Sequence, residues 1–245
     1  MYSFDARVRY SECTEHGELS PVALINYLQD CTTFHSEDLG HGIQFMKDHH
    51  FAWFIAAWQI RIVRLPRFAE KITVSTNAYE AGSVTSNRNF LIQDADGNDC
   101  VLADSIWFTY DTAHKSPCRI PDFEKIYVTG EPKLDLPRTA RKIKVPEGGQ
   151  ELESIAVVEQ MLDTNHHVNN AQYVAIAAAL AQELAPQDMD TIRVQYRKMA
   201  LLGDILYPWL YHTDRGIIID LADGEKNSYA TIAFEQTAQK AGERA

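Results

Sequence analysis

Two stretches of the chain repeat their apolar residues at helical spacing. Behind Ser20 and Pro21, an N-cap followed by proline at the first helical position, Val22, Leu24, Ile25 and Leu28 fall on one face, and Gly40 closes the segment. The run from Val168 to Leu184 is alanine-rich, opens on asparagines and stops before Pro186, which predicts a second helix buried on most of its sides. Alternating or β-branched runs follow each helix. Residues 58–63, 71–79, 86–93 and 101–110 read as strands after the first, and 191–196, 205–212, 216–221 and 229–234 after the second. Asp96-Gly97-Asn98 and Asp223-Gly224 mark a turn between the last two strands of each set.

The two sets align with each other. Trp58-x-Ile60-x-Ile62-x-Arg64 lies over Ile192-x-Val194-x-Tyr196-x-Lys198, and Glu70-x-Ile72 then falls on Asp204-x-Leu206. Leu19-Ser20-Pro21 lies in the same way over Val168-Asn169-Asn170, although a longer connection, including His41 to His50, separates helix from strand in the first set. The pattern predicts an α+β chain in which a helix wrapped by a curved antiparallel sheet occurs twice. Between the copies stand Pro117, Pro121, Pro132, Pro137 and Pro146, the cations Arg138, Arg141, Lys142 and Lys144, and Gly148-Gly149, a composition that reads as a linker. The expected division is therefore 1–115, a linker over 116–150, and 151–245.

Composition narrows the class of protein. With 45% hydrophobic and 10% aromatic residues the chain can bury enough apolar surface to offset the entropy of ordering it. Lys plus Arg number 23 against 34 Asp plus Glu, and the net charge of −11 argues against nucleic acid or an anionic membrane as a bulk partner. Cys13, Cys31, Cys100 and Cys118 form no Cys-x-x-Cys pair, so neither zinc nor a disulfide framework is indicated, and a reducing cytoplasm is expected. The start, MYSFDARVRY, is polar where a signal peptide would be apolar, and the apolar runs are too short to span a membrane.

One segment is more polar than a helix entrance requires: Leu162-Asp163-Thr164-Asn165-His166-His167-Val168-Asn169-Asn170. Asp163, Asn165 and His167 alternate, so in an extended or turning chain a carboxylate, an amide and an imidazole converge just before the second helix. The N–H groups of that helix start would suit an oxyanion on a carbonyl, which points to acyl transfer. Asp and Asn also make Asx turns and caps, and a His near a helix end often only satisfies a carbonyl, so the pattern alone equally describes a braced turn. Adjacent His49-His50 lack metal-ligand spacing, and no metal or cofactor is expected.

The string LDTNHHVNNAQY resembles the signature of the acyl-acyl-carrier-protein thioesterase family. Supporting matches are Gly17-x-Leu19-Ser20-Pro21, Trp58-x-Ile60-x-Ile62 with Arg64-x-Pro66, Ser105-Ile106-Trp107 and Arg119-Ile120-Pro121. The resemblance implies a double hotdog fold and hydrolysis of fatty acyl thioesters on carrier protein, with Asp163, Asn165 and His167 as catalytic residues. Because only the second helix entrance carries Asp, Asn and His, the N-terminal domain is expected to supply the acyl pocket, with Trp53 and Trp58 the candidates by bulk. In the C-terminal domain Asn169, Tyr173 and the Met199 position are candidate substrate contacts, Asn169 alternatively a helix cap and Tyr173 a packing residue. Tyr196-Arg197-Lys198-Met199-Ala200 departs from the family, which places glutamate and cysteine at the last two positions. A cysteine nucleophile there is excluded, leaving water activated by His167, or Asp163 itself, to attack.

Acyl-coenzyme A hydrolysis and non-catalytic acyl binding are the alternatives. Carrier protein would dock on local cations, either Arg61, Arg64, Arg67 and Lys71 or the set from Arg138 to Lys144. A duplicated fold supplies its own pairing, so a monomer is expected, with a homodimer through a sheet edge as the alternative.

Overall fold

The computed structural model describes residues 1–181 and 189–237 and divides the chain into two compact units, Met1–Thr139 and Ala140–Ala245. In the first unit the order is β1 (Tyr2–Arg7), α1 (Pro21–Asp38), α2 (Ile43–Asp48), β2 (Phe51–Ile62), β3 (Lys71–Ala81), β4 (Thr85–Asp94), β5 (Asp99–Asp111) and the short β6 (Ser116–Cys118). Antiparallel pairing runs β1-β3-β4-β5-β2, with β6 against β5. Bulges between Ile55 and Ala57 and between Ala78 and Glu80 bend the strands, as a sheet that closes on a helix requires.

Helix α1 packs on β1 and β3 and buries Leu24, Ile25, Leu28 and Cys31. The Ser20 hydroxyl accepts from the Ala23 N–H at its start. At its end Gly40 takes φ +76, and the N–H groups of Gly40 and His41 donate to the carbonyls of Glu37 and Ser36. That pair of bonds is a Schellman closure, and the left-handed residue it needs explains the glycine.

The second unit holds β7 (Gln150–Glu151), β8 (Ile155–Ala156), α3 (Asn170–Leu180), β9 (Thr191–Tyr196), β10 (Ile205–Thr213), β11 (Gly216–Ala222) and β12 (Ser228–Glu235). Its strands pair β9-β12-β11-β10-β7, with β8 also on β10. Helix α3 packs on β11 and β12 and buries Ala171, Tyr173, Val174, Ile176 and Ala177; positions 182–184 of the helix expected from sequence lie outside the described residues. All eight strands expected from the alternating pattern form, and each unit is one long helix on an antiparallel sheet.

The proline-rich stretch is bound to the sheets by polar side chains. Arg88 reaches His35 of α1, so its face of the sheet is the helix side, and Asn89 and Asp104 point away from α1. There Asn89 Oδ1 accepts from the Leu134 N–H at 2.8 Å and Asp104 Oδ2 from the Thr139 N–H at 2.7 Å. In the second unit Gln195 Oε1 accepts from the Ile143 N–H at 2.9 Å, and Ile143 packs on Ile218 and Ala233. Residues 116–139 thus belong to the first unit and 140–150 to the second.

Candidate active site

A five-residue turn leads into α3. Leu162 and Val168 form an antiparallel bridge, the Asp163 N–H donates to the His167 carbonyl at 2.8 Å, and the His166 N–H to the Asp163 carbonyl at 3.1 Å. The Asp163 carboxylate closes the turn from inside, its Oδ1 accepting from the Asn165 N–H at 2.8 Å and the His167 N–H at 3.4 Å. An Asx arrangement of this kind spends one carboxylate oxygen on backbone and fixes the residues around it. Asn165 is exposed, His167 half-buried, and His166 exposed with φ +62. The turn therefore displays an amide and an imidazole on a frame set by the carboxylate.

The frame is anchored twice more. The Val168 N–H donates to the Ala200 carbonyl at 3.0 Å, and the Ala200 N–H donates to the Tyr173 hydroxyl at 2.9 Å. Burial pushes the Tyr173 phenol up to about 12, which keeps it a neutral acceptor. Asn169 caps α3, its Oδ1 accepting from the Ala171 N–H at 2.8 Å, while the Gln172 N–H goes to the Asn169 carbonyl. Those two helix-start donors are therefore engaged within the cap. Met199 precedes the anchored Ala200 and is 40% exposed.

The second unit thus gathers Asp163, Asn165, His167, Asn169, Tyr173 and Met199, while Trp53 and Trp58 lie on β2 of the first. Trp58 is buried against Phe90, ring centroids 4.9 Å apart. The Trp53 indole donates to Glu124 Oε2 at 2.5 Å, and His41 Nδ1 lies 2.7 Å from the other oxygen of the same buried carboxylate. Sequence reasoning missed this Glu124 pair, whose partners are far apart along the chain. It also missed Arg88, although an arginine two residues before Phe90 and four before Ile92 in an alternating strand carries a signal: a charge on the inward face.

All four cysteines are free, and burial pushes the Cys31 thiol up to about 12. Glu70, Asp94 and Cys100 come within 4.8 Å of one another, but the Arg64 guanidinium already binds both carboxylates. Of the other first-unit cations expected to meet a carrier, Arg67 pairs with Glu18 and Arg138 with Glu80, while Arg61 and Lys71 are exposed without an ion pair among the described residues. In the second unit a cavity of about 490 Å³ is lined by Lys142, Lys144, Arg193 and Arg215 among others, and of these the two arginines share Glu235.

Residues 1–127 match the family described as Acyl-ACP thioesterase N-terminal domain. A chloroplastic acyl-acyl-carrier-protein hydrolase of Cuphea viscosissima is 23% identical over 197 residues, 75% of this chain and 48% of that protein. The chain spans about half the length of the curated relatives it matches. Among solved structures, an acyl-ACP thioesterase from Bacteroides thetaiotaomicron superposes with a TM-score of 0.85 at 20% identity, covering 95% of this chain and 96% of that one. The 12:0-ACP thioesterase from Umbellularia californica gives 0.80 at 18% identity, covering 96% of each chain. At these identities the likeness is one of fold, two hotdog units in tandem.

Proposed function

The chain belongs to the acyl-ACP thioesterase family, and from that membership we propose that it hydrolyses fatty acyl thioesters of acyl-carrier protein to free fatty acid and carrier thiol. The observation that carries this reading is the turn held by Asp163, which presents Asn165 and His167 together at the entrance of α3. His167 takes a proton from water as it attacks the thioester carbonyl, the Asn165 amide donates to the oxyanion, and the carrier thiolate leaves and regains that proton from His167. Thiolates leave readily, so the reaction needs no covalent cysteine, in keeping with buried Cys31.

The acyl chain is assigned to the α1 side of the first unit, where Trp58 lies, with Trp53 on the same strand. The carrier is assigned to the cavity lined by Lys142 and Lys144, the cations there without a carboxylate partner among the described residues. Asn169 and Tyr173 position the turn. Four free thiols suit a reducing compartment such as the cytoplasm, and among the described residues no helix is long and apolar enough to cross a membrane. Exposed Met199, standing where the family has an acid, favours the second reading, a non-catalytic acyl-binding protein. Assay of the purified chain and of His167→Ala against acyl-carrier-protein and acyl-coenzyme A substrates decides: turnover lost in the variant supports hydrolysis, and no turnover in either protein supports binding alone.

A further inference from the structure

Arg88 is a buried cation without an anion. It is 7% exposed, and its Nη1 meets only His35 Nδ1 at 3.2 Å and Thr76 Oγ1 at 3.3 Å, both neutral acceptors. Its guanidinium carbon sits 5.1 Å from the centre of the Tyr127 ring. Nη2 and Nε have no acceptor among the described residues. The buried carboxylate nearest Tyr127 in sequence, Glu124, is already taken by His41 and Trp53. Burial pulls the Arg88 guanidinium down to about 10, and the groups that oppose the fall are a phenol and a thiol, not an acid. Charges this deeply buried are ordinarily paired.

The neighbouring group in the same row is also a donor without a partner. Ser105 pairs with Arg88 on one side and Trp58 on the other, so all three side chains share the face that Arg88 turns towards α1. The Ser105 hydroxyl is used by the Arg88 carbonyl and the Trp107 indole, whereas the buried Trp58 Nε1 meets no acceptor. A row of donors with one uncompensated positive charge, set in an apolar interior, is complementary to an anionic acceptor on an aliphatic body.

We infer that Arg88 binds a carboxylate carried on an aliphatic chain within the first unit. The inference rests on the reading that this unit takes the acyl chain. The carboxylate comes either from the far end of an ω-carboxyacyl substrate or from free fatty acid, the product itself.

Titration of the whole chain with dodecanoate and with dodecanol, followed by tryptophan fluorescence, tests it without any variant. The acid is expected to bind at least tenfold more tightly than the alcohol, and Arg88→Met to abolish the difference while leaving alcohol binding and thermal stability intact, since removal of an unpaired buried charge need not destabilise. Equal binding of acid and alcohol, to a protein that binds both, overturns the role of Arg88 and leaves the acyl pocket standing. No binding of either overturns both. Two kinetic arms separate the sources. A higher kcat/KM for an ω-carboxydodecanoyl carrier thioester than for the unmodified thioester identifies the substrate terminus, and inhibition by dodecanoate but not dodecanol identifies the product.

Discussion

Thr14 and Asp163 hold the same place in the two units: the backbone N–H of each donates to the carbonyl four residues on, Glu18 and His167, at 2.8 Å in both cases. Each also turns its own side-chain oxygen inward, Thr14 Oγ1 accepting from the His16 N–H and Asp163 Oδ1 from the Asn165 N–H. The turn is one structure built twice, and only the second copy carries an amide and an imidazole on it. Replacement of His167 by Ala is therefore expected to lower kcat about 100-fold or more with the thermal midpoint little changed, the size of effect usual for loss of a general base. Asp163→Ala should lower both, since two backbone bonds to its carboxylate, worth about 1 kcal/mol each, go with it. Parallel kinetics and thermal melts of the two variants check the distinction; equal stability losses would remove it.

Met199→Glu restores an acid beside the anchored Ala200 and should raise kcat, by about tenfold or more if the carboxylate activates water or charges His167 for proton return. Its exposure means the substitution desolvates no charge, so stability should change by less than about 0.5 kcal/mol. A kcat at or below that of the parent would show that the position no longer faces the reacting water.

The fold was legible because its information is local. Alternation placed every strand of the two repeated sets, the Ser20-Pro21 and Asn169 caps placed both helices, and the turn at Asp163 lies within five consecutive residues. β1 escaped because Tyr2–Arg7 is a polar, half-buried edge strand whose alternation carries few apolar residues. The binding of the proline-rich stretch escaped for another reason. It depends on Asp104, Asn89 and Gln195 accepting from backbone N–H groups 35 to 52 positions away, and backbone donors leave no mark in a sequence. Composition showed the cations but not their partners, so Arg64 and Lys142 looked alike until their surroundings differed.

The carrier is expected to feel Lys142 and Lys144. Both are exposed cations on a cavity, in a chain of net charge −11, so they attract an acidic partner against the field of the rest of the protein. Lys142→Glu with Lys144→Glu should raise KM for carrier-bound substrate about tenfold, leave kcat nearly unchanged and flatten the salt dependence of KM between about 50 and 300 mM. The same variant assayed on acyl-coenzyme A tells whether the cavity serves the protein carrier or the phosphates of the coenzyme.

His35 gives the molecule a sensitivity to acid. Burial first, and the Arg88 charge after it, pull its imidazole down to about 4, so the folded form keeps it neutral where the unfolded chain would protonate near 6.5. The stabilisation is thus complete above pH 6.5 and is lost as pH falls from 6.5 towards 4, with nothing further from this group below that. The loss is on the order of 2 to 3 kcal/mol. His35→Gln, which can still accept from Arg88 but does not titrate, should flatten the unfolding free energy over that interval relative to the parent. Identical pH profiles from denaturant melts would show that His35 protonates without cost.

His166 and Gly17 also occupy one position of the repeated turn, with φ +62 and +73. No atom lies within 4 Å of a Cβ placed on Gly17, so a side chain there meets only the backbone penalty of the left-handed region, about 1 kcal/mol. The second unit bears that penalty at His166, beside Asn165 and His167, and its exposed side chain offers no packing in return. His166→Gly should relieve the strain, and after the entropy that glycine adds to the unfolded chain the net gain is about 0.5 kcal/mol, with kcat unchanged. Gly17→Ala should cost about 1 kcal/mol. Denaturant melts of the two single variants measure both signs, and a loss of kcat in His166→Gly would move the imidazole of His166 into the reaction and His167 out of the role assigned to it.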